Sequence, residues 1–176
     1  MKKNLLSISI GIATLLLHST AAAQPAEPYQ LPKHEHQTEN NEFKNHWKTI
    51  GSIQNGNPVI TVEKTALLTA YNANLLRQSN IEGHFTDVNI QPLDRGDYAL
   101  VFTGTKYRSS LYVRAREQSL EALSNTSCTT SDCPTEPRGC LVMYDPDDIG
   151  YCSPCENGGK CTKTSSSISL LDPATH

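Results

Sequence analysis

Residues 84–116 read HFTDVNIQPLDRGDYALVFTGTKYRSSLYVRAR, and this stretch decides the fold. Thr86, Val88 and Ile90 alternate with Asp87, Asn89 and Gln91, the period-two pattern of a strand with one buried face. Pro92-Leu93-Asp94-Arg95-Gly96 carries turn chemistry: proline presets φ, and Asp and Gly accept tight bends. Tyr98 to Thr103 is a continuous apolar run suited to a central strand. Gly104-Thr105-Lys106 turns the chain again, and Leu111, Val113 and Ala115 then alternate with Tyr112, Arg114 and Arg116. Three strands joined by short turns predict an antiparallel meander.

Immediately upstream the period changes. Thr61 is placed to cap a helix running to about Gln78, with Ala66, Leu67, Ala70, Tyr71 and Leu75 on one side and Leu68 widening the stripe. Asn80 and Gly83 are the stop signals. One helix lying on one sheet is the smallest two-layer arrangement that buries both apolar stripes. The expected fold class is therefore α+β, with one main helix packed on a three-stranded antiparallel meander over residues 58–123. Glu117 to Leu123 reads as a short closing helix.

Further towards the N-terminus, Met1-Lys2-Lys3, an apolar run from Leu5 to Leu17, and Ala21-Ala22-Ala23 follow the three-part layout of a secretory signal over residues 1–23. The run is short for a bilayer span, which takes about 20 residues. Cleavage before Gln24 is expected, with export to the periplasm or cell exterior, and the short lysine-led signal ending in alanines suggests a bacterial source. Residues 24–57 read mostly as a disordered tether, rich in Pro and polar groups near its start. Within it Phe43, Trp47 and Ile50 recur at helical spacing between Thr38 and Gly51, which predicts a short amphipathic helix.

Export would remove two lysines and no acids, leaving a net charge of −5 in place of −3. A mildly acidic chain of mixed charge argues against nucleic acid and anionic membrane surfaces as partners. No later segment is long and apolar enough to span a membrane.

Towards the C-terminus, composition shifts at Ser124 to Ser, Thr, Pro and Cys. Residues 124–176 read as a separate small module with too few apolar groups for a core, so cross-links must replace one. Its six cysteines are Cys128, Cys133, Cys140, Cys152, Cys155 and Cys161, and nothing apolar after the last suggests more than a frayed tail. An even cysteine count in an exported chain reads first as disulfides. The rival is zinc held by Cys128-x4-Cys133 and Cys152-x2-Cys155, which would leave two thiols over. Sequence alone permits fifteen pairings of six cysteines. Leu141 to Tyr144 reads as a strand, Asp145 to Asp148 as a turn, and Ile149 to Tyr151 as the return. Facing Tyr144 with Ile149 brings Leu141 opposite Cys152 and leaves Cys140 one residue off register, which a bulge at Gly150 would close, and so predicts a Cys140–Cys152 bond.

Pro154 to Cys161 matches the P-C-x-N-G-G-x-C segment of epidermal-growth-factor-like modules over eight residues. The later C-x-C pair of that family is missing, so the resemblance implies a shared tight turn and no function. Leu120-Glu121-Ala122-Leu123 ahead of the cysteines is similar, over four residues, to the small exported NVEALA proteins.

Candidate sites follow from residue chemistry. Cys152-Ser153-Pro154-Cys155 resembles a redox pair, although Glu156-Asn157-Gly158-Gly159 is a poor start for the helix that stabilises such thiolates. Asp145, Asp147, Gly150 and Glu156 fall at calcium-loop positions, but Ile149 occupies one ligand position and the stretch reads as a solvated turn. His34 and His36, with Glu35, have metal-ligand chemistry but lie in the tether. His84 and Asp87 are close in sequence, yet alternation sends them to opposite faces of a strand. Tyr107, Arg108, Tyr112, Arg114 and Arg116 give the third strand and its turn a polar, aromatic face, and Tyr and Arg are enriched at interaction hot spots.

The sequence thus predicts an exported, non-enzymatic binding or structural protein, inhibitor-like in one version. Its partner would be another protein or a cell-envelope component, with no cofactor and no metal. The alternative is a thiol-disulfide protein acting through Cys152 and Cys155.

Overall fold

The computed structural model describes residues 46–145 and 148–173. Its one α-helix among these residues starts where Glu63 turns its carboxylate onto the N–H groups of Thr65 and Ala66. Those are two of the four donors that a helix start leaves without partners. Helix α1 runs Lys64–Ser79 and ends at Asn80, whose φ of 57° is the left-handed bend that closes the last turn. Its buried side is Leu67, Ala70, Tyr71, Asn74 and Leu75.

Ten strands accompany it among the described residues: β1 (Trp47–Gln54), β2 (Asn57–Ile60), β3 (Phe85–Pro92), β4 (Tyr98–Gly104), β5 (Arg108–Arg116), β6 (Ser119–Leu123), β7 (Thr126–Thr130), β8 (Val142–Asp145), β9 (Asp148–Cys152) and β10 (Thr162–Ser165). Strands β8 and β9 form a separate hairpin, and the other eight share one antiparallel sheet. The meander β3–β4–β5 is present where the alternation predicts it.

The centre of the sheet is β5. One edge pairs with β4. The other edge is divided: Val113–Arg116 pairs with β6, and Arg108–Ser110 pairs with β7. Beyond β6 lie β1 and then β2, and beyond β7 lies β10.

This overturns the expected fold class. The protein is mostly β, and the helix packs on a large sheet instead of a three-stranded meander. Nor does a separate cysteine-rich module follow: Thr126–Thr130 and Thr162–Ser165, both drawn from it, are strands of the main sheet. The short helix expected around Trp47 is strand β1, where Trp47 pairs with Leu123 and Lys48 with Ala122. The closing helix expected over Glu117–Leu123 is instead a turn, with Glu117 at φ 56°, followed by β6. Tertiary pairing has overridden helical propensity in Leu120-Glu121-Ala122-Leu123. The tail is not frayed through its described length either. Leu170 is fully buried in the core, and Asn74 on α1 donates to the Leu170 and Asp172 carbonyls at 3.2 and 2.8 Å.

Alternation along β5 gives the sheet two covered faces. Leu111 and Val113 join Leu100 and Phe102 of β4 and Val88 of β3 against Leu67, Tyr71 and Leu75 of α1. Tyr71 stacks on Phe102 with ring centroids 3.8 Å apart. The opposite face carries Tyr112 and Cys128 and packs against Cys133, Cys140, Val142 and Cys155. The cystine-rich stretch from Ser131 to Cys161 is therefore a cap on the sheet. It has little apolar surface of its own, and it borrows the sheet's second face.

Candidate functional site

Three cross-links hold the cap: Cys128–Cys152, Cys133–Cys155 and Cys140–Cys161. Each of the first three cysteines joins the one three places later in the chain. All six cysteines are thus oxidised, as expected, but the expected Cys140–Cys152 bond is not made. The hairpin exists with a bulge between Met143 and Asp145, which moves Val142 opposite Cys152 and Met143 opposite Tyr151. That is one residue from the expected register. It turns Cys152 towards β7 and Cys128, while Cys140, in a left-handed conformation at φ 54°, reaches Cys161.

The first cross-link joins β7 of the sheet directly to β9 of the hairpin. Polar contacts complete the attachment. Ser110 on β5 accepts the Val142 N–H at 2.9 Å. Arg108 is buried and gives its guanidinium to the carbonyls of Glu136, Gly139 and Pro137 and to Oε1 of Gln91. Burial holds its pKa below the ordinary guanidinium value.

Where hairpin and sheet meet, aromatic side chains stack in series. Trp47 of β1 meets Tyr112 of β5 edge-on at 6.2 Å, and Tyr112 stacks on Tyr144 of β8 at 5.2 Å and 22°. The guanidinium of Arg114 lies 3.7 Å from the centre of the Trp47 ring, and its Nε donates to Glu121 at 2.9 Å. Tyr112 is only 6% exposed, whereas Tyr144 is 37% exposed. Burial pushes the Tyr112 phenol well up from its ordinary value, and the nearby Asp97 carboxylate, to which it is hydrogen-bonded, adds to the shift. It stays protonated and acts as a donor.

The five residues of the predicted face therefore do not share one exposed surface. Arg108 and Tyr112 lie beneath the cap, Arg114 is half-buried beside Trp47, Tyr107 packs towards the helix-side core, and of the five only Arg116 is exposed. Sequence reasoning missed Trp47 and Tyr144 as members of this cluster. The signal available for Tyr144 was its place at the tip of a predicted strand. For Trp47 the helical reading concealed it.

The remaining candidates separate. Cys152 and Cys155 bond different partners, so the oxidised form of a Cys152–Cys155 redox couple is not formed. Of the positions in the proposed calcium loop, Asp145 pairs with Asp148 across the β8–β9 hairpin, and Asp147 lies outside the described residues. Glu156, its last position, is engaged through its N–H with the Glu136 carboxylate at 2.7 Å. His84 is exposed, with its Nε2 3.7 Å from the Glu82 carboxylate. His34, Glu35 and His36 lie outside the described residues, as do residues 1–23.

A concavity unforeseen from the sequence lies between α1, β1 and the tail. It measures about 700 Å³ and is lined by Ile50, Ala66, Ala70, Ala73 and Leu171, with the Lys48–Asp172 ion pair (2.9 Å) at its side. The small side chains at Ala66, Ala70 and Ala73 leave the space. Among known proteins, no family model, no curated protein and no solved structure matches this chain.

Proposed function

We propose that the protein is an exported, non-enzymatic binding module, inhibitor-like in design, whose partner is another protein or a cell-envelope component. The observation that carries this reading is Tyr144. It is a large aromatic side chain left part-exposed, yet it is backed by Tyr112 and Trp47 and sits on a hairpin cross-linked to the sheet. Rigid aromatic anchors bind at low ordering cost, because their rotamers are fixed before the partner arrives. Tyr151, 40% exposed on β9, extends the apolar surface of the hairpin, and Arg114 supplies charge nearby.

Export is supported by the three disulfides, which persist in oxidising compartments, and by the layout of residues 1–23. Among the described residues no helix is long and apolar enough to cross a membrane.

The test is capture of partners from envelope and culture-medium fractions by the protein beginning at Gln24, in parallel with Tyr144→Ala. The reading expects Tyr144→Ala to weaken a captured interaction by roughly tenfold or more, as truncating a hot-spot aromatic does. Undiminished capture by Tyr144→Ala overturns it.

A further inference from the structure

The sulfurs of Cys128, Cys152 and Cys161 all lie within 4.8 Å of one another. Two of them form one disulfide, and the third belongs to another, Cys140–Cys161. Two cystines thus meet at a single point, carried by β7, β9 and the residue before β10. The third disulfide lies in a different cluster, where the sulfurs of Cys133 and Cys155 sit with the Glu136 carboxylate. The sequence placed redox chemistry at Cys152 and Cys155, but the fold assigns these two to different clusters.

We propose that Cys128, Cys152 and Cys161 form an internal thiol–disulfide exchange site whose substrate is a small dithiol. Exchange requires a thiolate to reach a disulfide sulfur and displace its partner. Cys128 and Cys140 are buried, while Cys152 and Cys161 are half-buried, so an outside thiolate meets Cys152 before Cys128.

Attack on Cys152 forms a mixed disulfide with the dithiol, breaks the Cys128–Cys152 bond and leaves the Cys128 thiolate. That thiolate, held within 4.8 Å of Cys161, attacks it. A Cys128–Cys161 bond forms, and Cys140 leaves as a thiolate and takes up a proton. The second thiol of the reagent then resolves the mixed disulfide, releasing Cys152 as a thiol and the reagent as its cyclic disulfide. Two electrons have passed from the dithiol to the protein, which keeps two disulfides and gains two thiols. These thiols come from different native pairs.

The test is limited reduction of the native protein with dithiothreitol, followed by acid quenching, alkylation and non-reducing peptide mapping of the two-electron species. The proposal expects alkylation on Cys140 and Cys152, about tenfold above Cys161, with a peptide joining Cys128 to Cys161. A peptide joining Cys152 to Cys161, with Cys128 and Cys140 alkylated, supports the same exchange with the other sulfur leaving. Alkylation confined to a native pair overturns the proposal. So does a mixture in which Cys133 and Cys155 exchange as freely as the rest, because the cluster then has no special role. A Cys140→Ser, Cys161→Ser variant supplies the control: without the acceptor, two-electron reduction should leave Cys128 and Cys152 free together.

Discussion

The guanidinium of Arg108 donates to the main-chain carbonyl of Glu136, while the carboxylate of the same Glu136 accepts the N–H groups of Glu156 and Asn157 at 2.7 and 3.1 Å. One residue of the sheet thereby holds one residue of the cap, which in turn holds the loop after Cys155. Arg108→Ala would take a donor from the buried Gly139 carbonyl and the part-buried Glu136 carbonyl, and should cost about 1–3 kcal/mol in urea unfolding. Arg108→Lys should recover only part of that, since a single ammonium cannot replace a planar fork that reaches several acceptors. A loss within experimental error for Arg108→Ala would show that the Arg108 contacts do not help to hold the cap.

Tyr112 and Tyr144 stack on each other but differ in burial, and they should separate stability from binding. Tyr112→Ala removes a buried ring and is expected to cost about 3 kcal/mol or more. Tyr144→Ala, at the edge of the stack, should cost about 1–2 kcal/mol by the same reasoning, because Tyr144 is already more than a third exposed. From the sequence, Tyr112→Ala with Arg114→Ala would be expected to leave the melting temperature nearly unchanged. The cap over Tyr112 reverses that expectation, and thermal melts of the two single variants measure the difference.

Two carboxylates carry a pH dependence of known sign. The Glu63 carboxyl is held below its ordinary value of 4.5, chiefly by the backbone N–H of Thr65, and Asp132 is held below its ordinary 3.8, chiefly by the backbone N–H of Lys160. Each folded-state value is depressed. The stabilisation is therefore present above the unfolded value and is lost as pH falls through the folded one. The amide resonances of Thr65 and Lys160 should titrate with midpoints below 4.5 and 3.8 respectively. Midpoints at or above those values would mean that the helix cap and the Asp132 contact to Lys160 are absent in solution.

The parts of the fold legible in the sequence were those written in local periodicity. Val88, Leu100, Leu111 and Val113 gave the meander, and Leu67, Tyr71 and Leu75 gave the helix. Strand β1 was misread because Phe43, Trp47 and Ile50 happen to fall at helical spacing, while its partner β6 is built from good helix formers. Strands β7 and β10, Thr126–Thr130 and Thr162–Ser165, are short and polar, and they exist because each pairs with a neighbour across the sheet. At the candidate site, alternation correctly placed Tyr112 and Arg114 away from the helix. It could not say what covers them, because the contact between Ser110 and Val142 spans 32 residues. The hairpin was legible, but its bulge lies between Met143 and Asp145 instead of at Gly150, and that position decided the disulfide partner of Cys152.

The central claim is that the cysteine-rich segment is a cap fastened to the sheet, which fixes Tyr144 over Tyr112. Non-reducing peptide mapping of the native protein tests it most directly. The fold predicts three linked pairs, Cys128–Cys152, Cys133–Cys155 and Cys140–Cys161. A native map in which Cys128 of β7 bonds any cysteine other than Cys152 of β9 would contradict it.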